Sequence, residues 1–439
     1  MFLPDSVKEC IDALERAGFA AYAVGGCVRD ACLGLTPNDY DLCTSATPEE
    51  TEAVFAHRKL VLAGKKHGTV GVVTEGGVME ITTFRIEGNY ADNRHPDAVE
   101  FVTDIEKDLA RRDFTVNAMA YSPYRGFADP FGGQEDLEKG ILRAVGDPVK
   151  RFQEDSLRIL RGVRFAVRYH LEVDPETEQA MVSQAHLMDN LARERVLEEL
   201  CRLLPLVSAE DLLRFAPVLT AVIPELAPTL NFDQRSKHHA YDLYTHIAHV
   251  TAGVPGEPVL RWAALLHDIG KVTTFTLDDR GQGHFYGHAK ESAVLADSIL
   301  RRLKAPTALR EQAVTLIEKH MLYPEPEKKA LRRHLSRLGW ENAQLLLQLQ
   351  EADTGSKGTG MPDHRDYFTR IRSLMAEIQA ENACLSLKDL AVNGHDLMAL
   401  GYSGREIGAT LNRLLEQVLE DRLPNEKDAL LAFIQQNPM

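Results

Sequence analysis

Gly25-Gly26-Cys27-Val28-Arg29-Asp30, followed by Asp39-Tyr40-Asp41, joins a glycine turn and a basic residue to two carboxylates one residue apart. In a strand, alternate side chains share a face, so Asp39 and Asp41 are expected to point together and Tyr40 away. Paired carboxylates bind hard cations such as Mg²⁺ through oxygen. A Gly-Gly turn lets backbone N–H groups approach a phosphate chain. Together they describe a site for a metal-bound nucleoside triphosphate. Two ions on Asp39 and Asp41 would activate a 3′-hydroxyl and steady the departing pyrophosphate. Such centres often take a third carboxylate from a neighbouring strand, and Glu80 in Met79-Glu80-Ile81 is the candidate. The alternative for Glu80 is an ordinary exposed strand residue. Arg29 can meet phosphate charge. Asp30 is expected to orient or cap local backbone rather than bind metal.

Two further strings bear on the nucleotide. In Arg111-Arg112-Asp113-Phe114-Thr115-Val116-Asn117-Ala118, an arginine can clamp phosphate, while Asp113 and Asn117 can accept from and donate to a ribose hydroxyl. Sensing the 2′-OH would select ribonucleotides. The bland alternative is a charged helix start with its N-cap. In Glu154-Asp155-Ser156-Leu157-Arg158-Ile159-Leu160-Arg161-Gly162-Val163-Arg164-Phe165, Asp155 and Arg158 are expected on one helical face. Asp155 would accept from the exocyclic amine of cytosine or adenine, and Arg158 would donate to the adjacent ring nitrogen. Guanine and uracil would leave buried polar groups opposed, which makes rejection strong. The alternative is a surface ion pair at helical spacing. Arg161, Arg164 and Arg168 extend the basic stripe.

These strings resemble the class II branch of the polymerase-β-type nucleotidyltransferases, the bacterial CCA-adding enzymes and related poly(A) polymerases. The matching motifs are Gly-Gly-x-x-Arg-Asp…Asp-x-Asp, Arg-Arg-Asp-x-x-x-Asn-Ala and Glu-Asp-x-x-Arg-x-x-Arg, in family order between residues 20 and 170. The resemblance implies Mg²⁺ at Asp39 and Asp41 and nucleotide contacts from Gly26, Arg29, Arg112, Asp155, Arg158, Arg161 and Arg164. It implies a seahorse-shaped fold with an α/β head and helical neck, body and tail. It implies tRNA as partner and CTP and ATP as substrates. Gly401-Tyr402-Ser403-Gly404-Arg405 is similar to the family's C-terminal region, a weaker match. Family members that add only C and C are shortened after the third head strand. Here Arg85 to Pro96 looks full-length, which favours addition of A. Poly(A) polymerase and A-adding activity remain open alternatives. So does a phosphohydrolase whose head merely senses nucleotide.

A second chemistry lies downstream. His238, His239, His246, His249, His267, His284 and His288 make a histidine-dense segment. Leu265-Leu266-His267-Asp268-Ile269-Gly270-Lys271 resembles the HD phosphohydrolase signature. His246 falls one helix upstream and Asp353 downstream as the closing carboxylate. His288 and His320 add two possible ligands. Mixed histidine and carboxylate donors suit a divalent transition metal. Such a centre would cleave a phosphate ester, as a phosphomonoesterase or a 2′,3′-cyclic phosphodiesterase clearing damaged RNA ends. The alternative is a degenerate scaffold that packs against tRNA.

The elements that must hold these residues follow from pattern and composition. The 439 residues are 44% hydrophobic and 26% charged, those of a soluble globular protein of about three domains. No apolar run reaches the length of a membrane span, and residues 1–20 read as an amphipathic helix. Six cysteines without a Cys-x-x-Cys pair fit thiols in a reducing cytoplasm. Strands are expected at 20–24, 40–43, 70–74, 79–84 and 99–101, and helices from about 148 onward. The expected division is an α/β head (1–145), a neck with the base-reading helix (146–232), an HD metal-binding domain (233–356) and an RNA-binding helical tail (357–439). A linker is expected near 228–237 and a flexible loop at 356–366. The net charge of −15 hides two basic windows. Arg143 to Arg168 holds seven basic residues against three acidic, and Arg301 to Arg337 ten against four. Both suit a partner bound through phosphates.

Overall fold

The computed structural model describes residues 1–87, 99–236, 240–357 and 364–437. Residues 88–96 of the expected full-length segment, His238 and His239, and the centre of the expected 356–366 loop lie outside the described residues. The chain divides into two compact units, Met1–Val207 with Arg214–Pro224, and Ser208–Leu213 with Glu225–Met439. The expected head and neck fall mainly in the first, and the expected HD domain and tail in the second.

The first unit is built on a mixed seven-stranded sheet. Its strands are β1 (Ala21–Val24), β2 (Asp41–Thr44), β3 (Leu60–Val61), β4 (Thr69–Thr74) and β5 (Gly77–Thr83). A separate pair, β6 (Arg85–Glu87) and β7 (Val99–Phe101), is followed by β8 (Ala120–Ser122) and β9 (Gly126–Ala128). The sheet order is β3-β4-β5-β2-β1-β8-β9. Only β2 and β5 pair in parallel within it. A parallel pair needs a long crossover, and the helix Pro48–Val54 with the β3–β4 segment supplies it. Thr47 and Glu50 start that helix with a reciprocal capping box. Central strand β1 is buried throughout, and in β2 only Asp41 emerges. The amphipathic helix Asp5–Arg16 buries Val7, Cys10, Ile11 and Leu14.

From Pro148 the first unit is almost entirely helical, with Pro148–Glu154, Leu157–Tyr169, Pro175–Ser183 and Arg193–Leu203 as its main members. Gly162 has a steric reason: a Cβ there would lie 2.9 Å from the Phe114 ring. The missing side chain lets the Leu157–Tyr169 helix seat against the Arg-Arg-Asp-Phe string, with Phe114 and Phe165 edge to face at 5.9 Å.

The second unit is helical apart from a short hairpin, Thr276–Leu277 with Gly283–His284. Helices Leu243–Gly253, Pro258–Leu266, His288–Arg302, Thr307–Lys319 and Trp340–Gly355 enclose Trp262, which is fully buried. Lys328–Leu338 and Arg365–Ala380 form a further core around Phe368. Gly394–Ala399, Arg405–Leu419 and Lys427–Gln436 form another around Leu397 and Leu430.

Candidate functional site

The carboxylates converge at one end of β2. The strand begins at Asp41, so Asp39 lies in the preceding loop. The expectation that both sit in one strand is corrected, and their grouping has another cause. Leu42 pairs with Ile81 in the parallel β2–β5 ladder, which puts Glu80 level with Asp41. Both residues are exposed, Glu80 between the buried Met79 and Ile81, and Asp41 ahead of the buried Leu42. Lost hydration raises the Asp41 carboxyl above its ordinary range, and the Asp39 and Glu80 charges raise it further. Arg112 works in the opposite direction. Three acidic groups with one partial counter-charge form a site whose repulsion a cation would relieve.

Gly25 stands at the base of this site. It has φ +76°, caps the helix Gly26–Cys32, and would place a Cβ 2.8 Å from Arg112 Nη1. Here the glycine answers both to the backbone turn and to the arginine lying on it. A Cβ on Gly26 would meet only Arg29 Nη2, at 3.6 Å. Arg112 is otherwise tied to Asp108, 3.4 Å away, and its buried Nε has no hydrogen-bond partner.

Arg29 is buried and held on several sides. It donates to Asp30 through Nε at 2.9 Å and Nη2 at 2.7 Å, to Asn117 Oδ1 at 2.5 Å, and to the Tyr169 hydroxyl at 2.5 Å. Its guanidinium lies 4.3 Å from the Tyr169 ring centre. Asp30 thus orients the Arg29 side chain, where a backbone role was expected. Asn117 donates to Asp113 Oδ1 at 3.1 Å, and Arg161 Nε donates to Asp113 Oδ2 at 2.8 Å. Burial opposes ionisation of Asp113, but Arg161, Asn117 and Arg158 outweigh it and hold the carboxyl at about 2. Thr115–Asn117 is a short 3₁₀ turn.

The proposed base reader departs from its expected geometry. Asp155 is extended and separates the helices Pro148–Glu154 and Leu157–Tyr169. It does not share a continuous helical face with Arg158. Its carboxylate accepts from Leu157 N at 3.1 Å and from Arg195 Nη2 at 2.8 Å. Arg158 donates to Glu154 Oε2 at 2.7 Å and to the Arg111 carbonyl at 3.0 Å. The arginine stripe also divides. Arg161 faces Asp113, Arg164 is buried in an ion pair with Glu199, and Arg168 lies over Tyr169.

The second unit gathers six of the expected metal ligands. Asp268 Oδ2 lies 3.3 Å from His267 Nε2 and 3.4 Å from His246 Nε2. Its Oδ1 lies 3.4 Å from His288 Nε2 and 3.7 Å from His320 Nε2. Asp353 Oδ1 closes on His246 Nε2 at 3.1 Å. In all four rings Nδ1 sits against a backbone carbonyl: Ser356 for His246, Ala264 for His267, Phe285 for His288 and Ile317 for His320. A carbonyl can only accept, so each Nδ1 is placed to donate, which leaves Nε2, on the Asp268 side, as the ring atom that a metal could take. This is the arrangement by which proteins aim imidazoles at a metal. His267 Nε2 is buried without a hydrogen-bond partner. Burial opposes protonation of His246, but hydrogen bonds to Asp268 and Asp353 raise it to about 8. A cavity of about 390 Å³ opens onto Asp268, His288, His320 and Asp353.

Three family matches run along the chain: the Poly A polymerase head domain over residues 21–143, the RNA and SrmB binding site of polymerase A over 170–230, and tRNA nucleotidyltransferase domain 2 over 285–434. The CCA-adding enzyme of Geobacillus thermodenitrificans is 32% identical over 97% of this chain and 95% of its own length. That of Levilactobacillus brevis is 34% identical over 98% of this chain and 97% of its own. The chain belongs to the CCA-adding enzyme family. The crystal structure of the Bacillus stearothermophilus CCA-adding enzyme in complex with CTP superposes with a TM-score of 0.71 at 28% identity, covering 99% of this chain and 98% of that one. The family fold, a nucleotidyltransferase head followed by helices, is therefore shared.

Sequence reasoning passed over several supports of both sites in this CCA-adding family member. Tyr169 holds Arg29, Arg195 holds Asp155 and Glu199 holds Arg164. Lys271 Nζ lies 2.7 Å from Asp268. Two carried a readable signal: Lys271 follows Asp268 at i+3, and Tyr169 follows Phe165 at i+4 beside the arginines. Arg195 and Glu199 come from a helix distant in sequence. Among the described residues, no helix is long and apolar enough to cross a membrane.

Proposed function

We propose that the first unit adds C, C and A from CTP and ATP to tRNA 3′ ends without a nucleic acid template. We propose further that the second unit is a metal-dependent phosphohydrolase acting on phosphate esters at RNA 3′ ends. The observation that carries the first reading is the meeting of Asp39, Asp41 and Glu80 beside Arg112 and the Gly25 turn. Mg²⁺ fits this all-oxygen donor set and, when bound, supplies positive charge for the triphosphate and acidity for the attacking hydroxyl. The 3′-oxygen bonds to the α-phosphorus, the bond to the bridging oxygen breaks, and pyrophosphate leaves. Arg112 meets the phosphates. Asp113 and Asn117, positioned by Arg161 and Arg29, face the ribose. Asp155 and Arg158 read the base once Arg195 and Glu154 yield their present contacts. The reaction belongs in the cytoplasm with its tRNA, in keeping with six free cysteines.

Two experiments test these roles. Transcripts ending before CCA, after C and after CC are each offered one nucleotide at a time. Ordered C, C, A incorporation is expected, and it should disappear in Asp39→Ala or Asp41→Ala with tRNA binding retained. Substantial incorporation by the double variant would refute the assignment. For the second unit, the support is Asp268 between two imidazole pairs with every Nε2 turned inward. A divalent transition metal suits these donors and supplies Lewis acidity toward the ester and toward water. His267→Ala combined with Asp268→Ala should lose bound metal and ester cleavage while sparing nucleotide addition. A wild-type protein that binds no divalent metal would leave the domain a scaffold.

A further inference from the structure

The cavity over the histidine cluster has a second wall whose chemistry is not that of a metal site. Gly283, His284, Phe285 and Tyr286 line it together with Asp268, His288 and His320. Tyr286 is 79% exposed, although it stands only two residues before His288. Its ring is parallel to that of His284, with planes 6° apart and centroids at 5.4 Å. His284 is fixed in turn, its Nε2 lying 3.1 Å from Asp278 Oδ2.

The strand and turn that carry this pair are braced from behind. Phe285 packs on Phe275 at 5.6 Å, and Phe275 packs edge to face on Phe232 at 5.3 Å. A Cβ on Gly283 would meet the Gln234 carbonyl at 2.3 Å, so that backbone is seated directly on its neighbour. Gly287, at φ +81°, turns the chain from Tyr286 into the helix that begins with His288. The exposed ring is therefore held beside a candidate ligand, parallel to the His284 imidazole and with its hydroxyl 3.4 Å from His284 Nδ1.

We propose that Tyr286, backed by His284, is a stacking platform for the nucleobase of a ligand whose phosphate enters the histidine–aspartate cluster. Binding at the cluster then depends on a base carried together with the phosphate. This rests on the phosphohydrolase reading of the second unit. An aromatic face attracts any base because every base has a π surface. A cavity of about 390 Å³ lies within the range that holds a small nucleotide. Lys271 and Lys357 line the same space, each beside a carboxylate of the cluster, Asp268 at 2.7 Å and Asp353 at 4.0 Å.

The test uses the full chain and three probes: adenosine 2′-phosphate, glycerol 2-phosphate and a short RNA carrying a 3′-phosphate. Binding to metal-free protein is measured by equilibrium dialysis, and KM after reloading with Mn²⁺. Tyr286→Ala should weaken adenosine 2′-phosphate by about tenfold or more in Kd or KM and leave glycerol 2-phosphate unchanged. Tyr286→Phe keeps the ring and should restore wild-type values. Parallel weakening of the RNA probe identifies a chain end as ligand. An RNA probe that never binds, with the nucleotide still dependent on Tyr286, identifies free nucleotide. Equal handling of adenosine 2′-phosphate by wild type and Tyr286→Ala overturns the platform. A wild type that holds no Mn²⁺ and binds neither small ester overturns the phosphohydrolase reading beneath it, a result distinguishable by metal content.

Discussion

The two glycines of the Gly25-Gly26 turn are adjacent in sequence and unlike in physics. Gly25 has φ +76° and ψ −125°, a conformation L side chains rarely adopt, and its missing Cβ makes room for Arg112 Nη1 at 2.8 Å. Gly25→Ala should therefore cost about 1–3 kcal/mol in backbone strain. It should also push the Arg112 guanidinium aside, away from the carboxylates it partly neutralises. For a unit of this size each kcal/mol is roughly 2–4 °C in melting temperature. Gly26 has ordinary helical geometry, and an added Cβ would meet only Arg29 Nη2 at 3.6 Å. Gly26→Ala should leave melting unchanged or raise it, since alanine favours a helix by up to about 1 kcal/mol. If nucleotide phosphate approaches that backbone, however, Gly26→Ala should raise the KM for CTP and ATP severalfold. The assay pairs thermal melting with single-nucleotide incorporation for both variants. Gly25→Ala melting at the wild-type temperature refutes the strain argument. Gly26→Ala with unaltered KM and rate removes Gly26 from the nucleotide site.

Asp155→Ala or Arg158→Ala should admit UTP or GTP as well as slow addition; equal slowing of all four nucleotides with selectivity intact excludes the pair as base reader. Arg164 is half of a buried ion pair with Glu199. Arg164→Ala leaves that carboxylate unpaired and should cost about 3–5 kcal/mol of stability, whereas a stable variant with raised KM would make Arg164 a nucleotide contact instead. Asp113 is held at about 2 against an ordinary 3.8. Its folded value is depressed, so its stabilisation is present above pH 4 and is lost as pH falls toward 2. The difference is about 2 kcal/mol. Asp113→Asn should lose about that much at neutral pH and flatten the acid limb of a melting-versus-pH profile, and an unchanged acid limb counts against the argument.

The longer strands were legible because period-two alternation and glycine turns marked them. Val70–Thr74 and Met79–Phe84 were expected, and the hairpin runs Thr69–Thr74 and Gly77–Thr83. Strands β3, β8 and β9 span two or three residues, too short for periodicity to register. The break at Asp155 was missed because Asp155 stands three residues before Arg158, a spacing that by itself reads as one helical face. Its signal was local: an aspartate just before Leu157 accepts from that residue's N–H, as at a helix start. The carboxylate group was legible as a set even though its stated cause was incomplete. Asp39 reaches it from a loop, and Glu80 by strand pairing that local spacing cannot reveal.

Charge counting failed where sequence windows replaced spatial neighbours. The ten basic residues from Arg301 to Arg337 were read as a surface for RNA phosphates. Yet Lys328 faces Glu377 and Glu381, Lys329 and Arg333 share Glu420, and Arg332 meets Asp421. Arg301 and Arg310 both reach Asp297, and Arg302 pairs with Glu225. The acids that neutralise this window lie up to about ninety residues away, so no count along the chain could find them. Apart from Arg301, whose partner lies in its own helix, those lysines and arginines tie separate segments of the second unit together. For RNA to compete for them, it would have to displace carboxylates already in place. The expected histidine–aspartate residues, by contrast, do come together. They also come from distant helices, but each side chain type keeps its capacity to coordinate wherever it lands. A group of side chains able to coordinate can be anticipated from residue identity, whereas an electrostatic surface is legible only after folding has decided which charges remain unpaired.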